Sequence, residues 1–119
     1  MPEKPRELQE RTAQFAESVR AFVRSLPRTI SNLEEVRQLV RSSGSVAANC
    51  IEANEALGAR DRLMRFRICR KEAKESQLWL RLVHIGKDAG LEFEKAALWQ
   101  EAQELKLILT AIIKKLESV

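Results

Sequence analysis

The sequence predicts an all-α protein, an antiparallel up-down-up-down four-helix bundle, and three observations carry that expectation. Apolar residues recur at three- and four-residue spacing along four separate stretches, with charges between them. Helix breakers are scarce: the 119 residues hold four glycines and three prolines, and every proline falls before residue 28. Few positions could therefore make the tight turns that an all-β fold requires. The interruptions that do occur are short and fall between the periodic stretches, which makes successive helices antiparallel neighbours. A chain of this length suits one domain, residues 1–119, with one core.

The first helix is expected over residues 5–25, with Leu8, Phe15, Val19, Phe22 and Leu26 on one face. Leu26-Pro27 ends it, because the residue before a proline is pushed out of α geometry. The second is expected over 31–57. Ser31-Asn32-Leu33-Glu34 reads as a capping box at its start, and Gly58 as its C-terminal cap. Its inward stripe would be Leu33, Val36, Val40, Ser43, Ala47, Cys50, Asn54 and Leu57. The middle of that stripe is small and polar, which permits close helix approach but leaves polar atoms to satisfy. The third is expected over 60–85, with Phe66, Cys69, Ala73, Ser76, Leu80 and Val83 as the seam. Gly86 to Gly90 makes the next turn. The fourth spans 91–117, with Leu91, Leu98, Ala102, Leu105, Leu109, Ile112 and Leu116 inward. Lys114 and Lys115 near its end suit the negative pole of the helix dipole.

Composition narrows the function classes. The formal charge is +4, a mild basic bias compatible with a nucleic-acid or other acidic partner without requiring one. The two cysteines, Cys50 and Cys69, form no C-x-x-C, and His84 is the single histidine. A zinc site is therefore not expected, and buried free thiols in a reducing cytoplasm are. No stretch approaches the ~20 apolar residues of a membrane span. The polar Met1 to Arg6 lacks a signal-peptide apolar region, so a cytoplasmic protein with no membrane partner is expected.

Within the second and third stretches one run is distinctive. It reads Gln38-Leu39-Val40-Arg41-Ser42-Ser43-Gly44-Ser45-Val46-Ala47-Ala48-Asn49, followed by Glu52-Ala53-Asn54-Glu55-Ala56. It continues through Ile68-Cys69-Arg70-Lys71-Glu72-Ala73-Lys74-Glu75-Ser76 and Trp79-Leu80. Later come Glu101-Ala102-Gln103-Glu104-Leu105 and Ile108-Leu109-Thr110-Ala111-Ile112-Ile113-Lys114. Together these resemble the bacterial four helix bundle protein family, also called the ribosomal-RNA intervening-sequence protein family. The chain departs from it at Cys50-Ile51, where similar sequences carry an aromatic and then a basic residue. The resemblance implies a bundle that assembles as a homopentamer. It extends to accessory proteins of diversity-generating retroelements, which bind nucleic acid and a reverse transcriptase, and it brings no enzymatic activity.

The residues themselves agree that catalysis is not expected. A di-iron bundle needs Glu-x-x-His on two helices, but His84 has Arg81 three positions before it. One histidine on a regular helix, with no strained nucleophile turn, makes no Ser-His-Asp or Cys-His site. There is no glycine-rich phosphate loop, so no catalytic residue, metal or cofactor is expected. Asn49 and Glu52 lie three apart on one side of the second helix. Antiparallel pairing about Gly58–Ala59 would set them level with Cys69 and Phe66, within reach of Glu72, Arg65 and Arg70. Asn49, Glu52 and Glu72 are read as a structural polar network that fixes helix register; a binding carboxylate is the sharper alternative.

The third helix is the most informative. Arg60, Arg67, Lys74 and Arg81 share one heptad position, with Lys71 beside them. One cation every two turns, about 10 Å apart, can track phosphates. A solvated face paired with Glu75 and neighbouring acids is the other reading. No aromatic residues interleave with the row, so neither base stacking nor sequence readout is expected. The same helix carries Met64, Ile68, Leu78, Leu82 and Ile85 away from the seam. Leaving such a stripe in water forgoes ~1.5–3 kcal/mol per large side chain, which points to an oligomer interface; enclosure by the chain's own termini or loops is the alternative. The expected partners are thus further copies of the chain, RNA or DNA, and a reverse transcriptase or other protein.

Overall fold

Four stretches of the chain close into α-helices in the computed structural model, which describes residues 5–118. Most of the polar N-terminal stretch, Met1 to Lys4, lies outside the described residues. The helices are α1 (Pro5–Val23), α2 (Ile30–Asn54), α3 (Ala59–Leu82) and α4 (Ala89–Glu117). Each successive pair packs together, and α1 meets α4 to close the ring. No strand is present among the described residues. The result is the expected four-helix bundle, 49 × 25 × 19 Å. The contact between α2 and α3 is the most extensive and that between α1 and α4 the slightest.

The core follows the apolar periodicity. Leu8, Phe15, Val19 and Phe22 of α1 are buried with Leu26 just beyond it. From α3 come Phe66, Cys69, Ala73, Ser76 and Leu80, with Val83 just past its end. In α4 Leu91, Leu98, Ala102, Leu105 and Leu109 are buried as the spacing predicts. Near the C-terminus Ile113 is the buried residue, with Ile112 and Leu116 packed partly against the core.

The expected face of α2 needs correction. Its buried residues are Asn32, Leu39, Ser42, Ser43, Val46, Cys50 and Ala53, while Leu33 and Leu57 are exposed. The real stripe is turned by roughly one residue from the expected one. The reason lies in the partner surface: Ser42 sets its hydroxyl 2.8 Å from that of Ser76 on α3, and Ser76 donates to the Glu72 carbonyl at 2.9 Å. Cys69 directs its Sγ at the Val46 carbonyl, 3.1 Å away. Small polar side chains let the helix backbones approach, and each hydroxyl finds a partner. Larger apolar residues at the helix ends do not decide the face.

The helix ends also differ from expectation, each for a local reason. Thr29, in extended conformation, caps α2 by accepting the Asn32 N–H at 3.2 Å. The Ser31–Glu34 box is thus not the start, and Glu34 instead pairs with Arg37 at 3.6 Å. Glu55 ends α2, three residues before Gly58. Gly58 has φ −140° and precedes α3 as its N-cap, so it is not the left-handed C-cap that the sequence suggests. Helix α1 tightens after Val23, where Ser25 and Leu26 donate to the carbonyls of Phe22 and Val23.

Helix α3 stops at Leu82 because Asn32 reaches across to the next residues. Its Nδ2 donates to the His84 carbonyl at 2.7 Å and to the Pro27 carbonyl at 2.9 Å. The His84 N–H donates back to Oδ1 at 2.7 Å. Asn32 is 1% exposed, so one buried amide ties the α1–α2 connection to the α3–α4 connection. Gly86 follows with φ +69°. A Cβ there would meet no heavy atom within 4 Å, so only backbone strain opposes substitution. Gly86→Ala is expected to cost about 1–2 kcal/mol, read as a lower urea midpoint with unchanged helical circular dichroism.

Candidate nucleic-acid interface

Helix α3 presents its cations because the seam residues turn the heptad's next position outward. Arg60, Arg67, Lys71, Lys74 and Arg81 are all exposed. Arg67 Nη2 pairs with Glu117 of α4 at 2.5 Å. The other four have no ion pair among the described residues. Glu75, expected to pair with this row, instead takes Arg41 of α2 at 3.1 Å. The row therefore keeps most of its charge unpaired.

The bundle adds cations that the α3 pattern did not include. Antiparallel pairing lays α4 along the row, with Arg70 donating to the Thr110 hydroxyl at 3.3 Å. Lys106 donates to Gln77 Oε1 at 2.8 Å, and Gln77 Nε2 donates to Gln103 Oε1 and to the Trp99 carbonyl. Burial, and then the nearby charge of Lys74, lower the Lys106 pKa from its ordinary value. Lys74 thus stands close enough to disfavour the charge on Lys106. Lys95 donates to the carbonyls of Arg81 and Val83 at 3.2 and 3.0 Å, capping the C-terminal end of α3. No pattern within α3 marks Lys95 or Lys106; the register of α4 against α3, with Thr110 against Arg70, brings them to the row.

The polar network forms along the α2–α3 interface with a membership different from the expected one. Glu72 is buried and accepts from Arg41 Nη1 at 3.3 Å and from the Ser45 hydroxyl at 3.2 Å. Asn49 donates to the Ser45 carbonyl and hydroxyl at 2.9 and 3.0 Å, and accepts from Arg65 at 3.4 Å. Asn49 and Glu72 thus meet through Ser45. Glu52 is exposed and outside this chain of bonds. The physical reason is register: Cys69 sits against Val46, not Asn49, one turn from the expected pairing. Arg70, expected nearby, faces α4.

The outer apolar residues of α3 divide. Met64, Leu78 and Leu82 are 46%, 45% and 47% exposed. Ile68 is half-buried, and Ile85, beyond the helix end, packs against the core. Lys71 and Glu75 separate the two ends of the stripe.

Chemistry beyond binding finds few components. Cys50 and Cys69 are free and buried, and burial pushes both thiols above their ordinary range. At Cys50 a Thr12 hydrogen bond partly offsets this, and at Cys69 the proximity of Cys50 adds to it. Neither is set up as a thiolate nucleophile. Among the described residues no group of histidine, cysteine, aspartate and glutamate is placed to hold a metal. None of the described helices is long and apolar enough to cross a membrane.

With this geometry in place, comparison with known proteins adds a structural likeness. A crystal structure of a protein of unknown function from Bacteroides thetaiotaomicron, described as from the S23 ribosomal protein family, shares the fold. Its TM-score is 0.78 at 24% sequence identity, covering 90% of this chain and 98% of the other. A bacterial helical protein is thus built on the same four-helix plan. Neither a family profile nor a curated protein sequence matches the chain.

Proposed function

We propose that this chain is a non-enzymatic, cytoplasmic bundle that assembles with copies of itself and binds nucleic acid through backbone phosphates. The observation that carries the reading is the exposed row Arg60, Arg67, Lys71, Lys74 and Arg81, unneutralised except at Arg67 and extended by Lys95 and Lys106. Contacts of this kind position a polyanion without reading its sequence. The resemblance of the central helices to the ribosomal-RNA intervening-sequence proteins supports the reading, and so does the fold shared with a protein placed in the S23 ribosomal protein family. Assembly, as a homopentamer on the resemblance, would cover the half-exposed Met64, Leu78 and Leu82.

Filter binding of short RNA and DNA at low and moderate salt tests the phosphate contacts. Changing the five cations of the row to glutamate is expected to abolish retention. Undiminished binding by that variant would remove these residues from the account. Sedimentation tests assembly separately, and a clean monomer at micromolar concentration would count against it.

A second reading rests on the same apolar residues. Met64, Leu78 and Leu82 could seat a different protein, a reverse transcriptase being one the resemblance implies, on a structural module that binds no nucleic acid. Copurification from the native host separates the two. Nucleic-acid absorbance in the purified complex favours the first, and a stoichiometric second protein free of nucleic acid favours the second.

A further inference from the structure

One aromatic side chain lies where the cation row meets α4. Trp99 is 41% exposed and lines a cleft of about 550 Å³ together with Arg81, Ile85, Lys95 and Gln100. Its backbone is anchored, since its carbonyl accepts from Gln77 Nε2 at 3.3 Å. Lys95 is fixed by its two bonds to the end of α3, whereas the Arg81 guanidinium has no ion pair among the described residues. The cleft thus combines a π-face, an aliphatic wall from Ile85, two cations and an amide.

Resting on the nucleic-acid reading above, we infer that this cleft takes an unpaired base of a single strand, stacked on Trp99, with the adjoining phosphate on Arg81. The cleft is open to solvent and its volume has room for a nucleoside. An apolar helix would use Trp99 and Ile85 but would strand Arg81 and Lys95 away from water. A duplex keeps its bases stacked on one another, so it reaches the row but not the indole. The Gln100 amide offers a donor and an acceptor to a base edge. Glu92, also on the rim, accepts only, which favours a base edge carrying an amino or imino donor over a second phosphate.

The test compares a short oligothymidylate with a blunt duplex of the same length. In protein carrying Trp79→Phe, Trp99 is the sole indole, and the single strand is expected to quench its emission while the duplex leaves it unchanged. Trp99→Ala is expected to weaken single-strand binding about ten-fold, within the range measured for loss of a base–aromatic stack. Duplex binding should hold, and Trp99→Phe should retain most of the single-strand affinity. Equal single-strand affinity for wild type and Trp99→Ala, with no quench, overturns the stacking site while leaving the phosphate row in place. A wild-type protein that binds neither probe at low salt overturns both. If Trp99→Ala changes the oligomeric state and weakens both probes equally, the indole belongs to a subunit contact and the inference fails.

Discussion

Asn32→Ala is expected to destabilise the protein by about 3 kcal/mol, the largest stability loss of any single polar substitution in the bundle. The amide is 1% exposed and serves three backbone groups: it donates to the carbonyls of Pro27 and His84 and accepts the His84 N–H. Truncation strands those groups, each at about 1–3 kcal/mol when water cannot reach it. His84 is itself exposed, so water recovers part of the loss, which holds the total near the low end of the roughly 3–9 kcal/mol that three stranded groups would cost. Asn32→Asp separates hydrogen bonding from packing. It preserves the shape and the acceptor for the His84 N–H but turns a carboxylate on two carbonyls, and its loss should match or exceed that of alanine. Urea denaturation followed by circular dichroism measures both, and a midpoint within error of wild type for either variant would contradict the bracketing role.

Reversing the row is expected to have the largest effect on binding. If all five cations meet phosphates, the slope of log K against log salt is about −4.5 on duplex DNA and about −3.5 on a single strand. Raising salt from about 50 to 200 mM then weakens binding by roughly 500-fold and 100-fold respectively. Arg67 already holds Glu117 at 2.5 Å, so exchanging it should cost less than exchanging Lys74 or Arg81. Single glutamate variants at Lys74 and Arg81 should each flatten the salt slope by about one or more. A titration in which the wild-type slope is near zero would point to a neutral or protein partner.

The architecture was legible because it depends on a repeating pattern. The α3 seam of Phe66, Cys69, Ala73, Ser76, Leu80 and Val83 is buried as its spacing predicts. The face of α2 was less legible: Ser43 and Cys50 are inward as their spacing predicts, but Ser42 is inward because the Ser76 hydroxyl meets it across the interface. Asn32 escaped notice for a related reason: its partners are backbone atoms five and fifty-two residues away, and no residue pattern marks them. The cation row was visible because it repeats along one helix. Trp99, Lys95 and Lys106 join it only through the register of α4 against α3, which one helix cannot reveal. The network around Asn49 shows how sensitive such placement is, since one turn of slip was enough to exclude Glu52.

The order of helix contacts also sets how this chain reaches its fold. Three of the four interfaces join helices adjacent in sequence, and the ring is closed by α1 against α4, the slightest contact. That closure leans on Arg11, whose guanidinium donates to Glu101 at 2.7 and 2.8 Å and to Glu104 at 3.0 Å. Contacts between neighbours form with little loop-closure entropy, which places such bundles among fast folders. The α2–α3 hairpin is then expected to nucleate folding, with the seam between the first and last helices forming late. Interactions formed after the transition state govern the unfolding rate and leave the folding rate nearly unchanged. The Arg11 clamp is therefore expected to act as a kinetic latch, slowing unfolding while leaving the folding rate nearly unchanged.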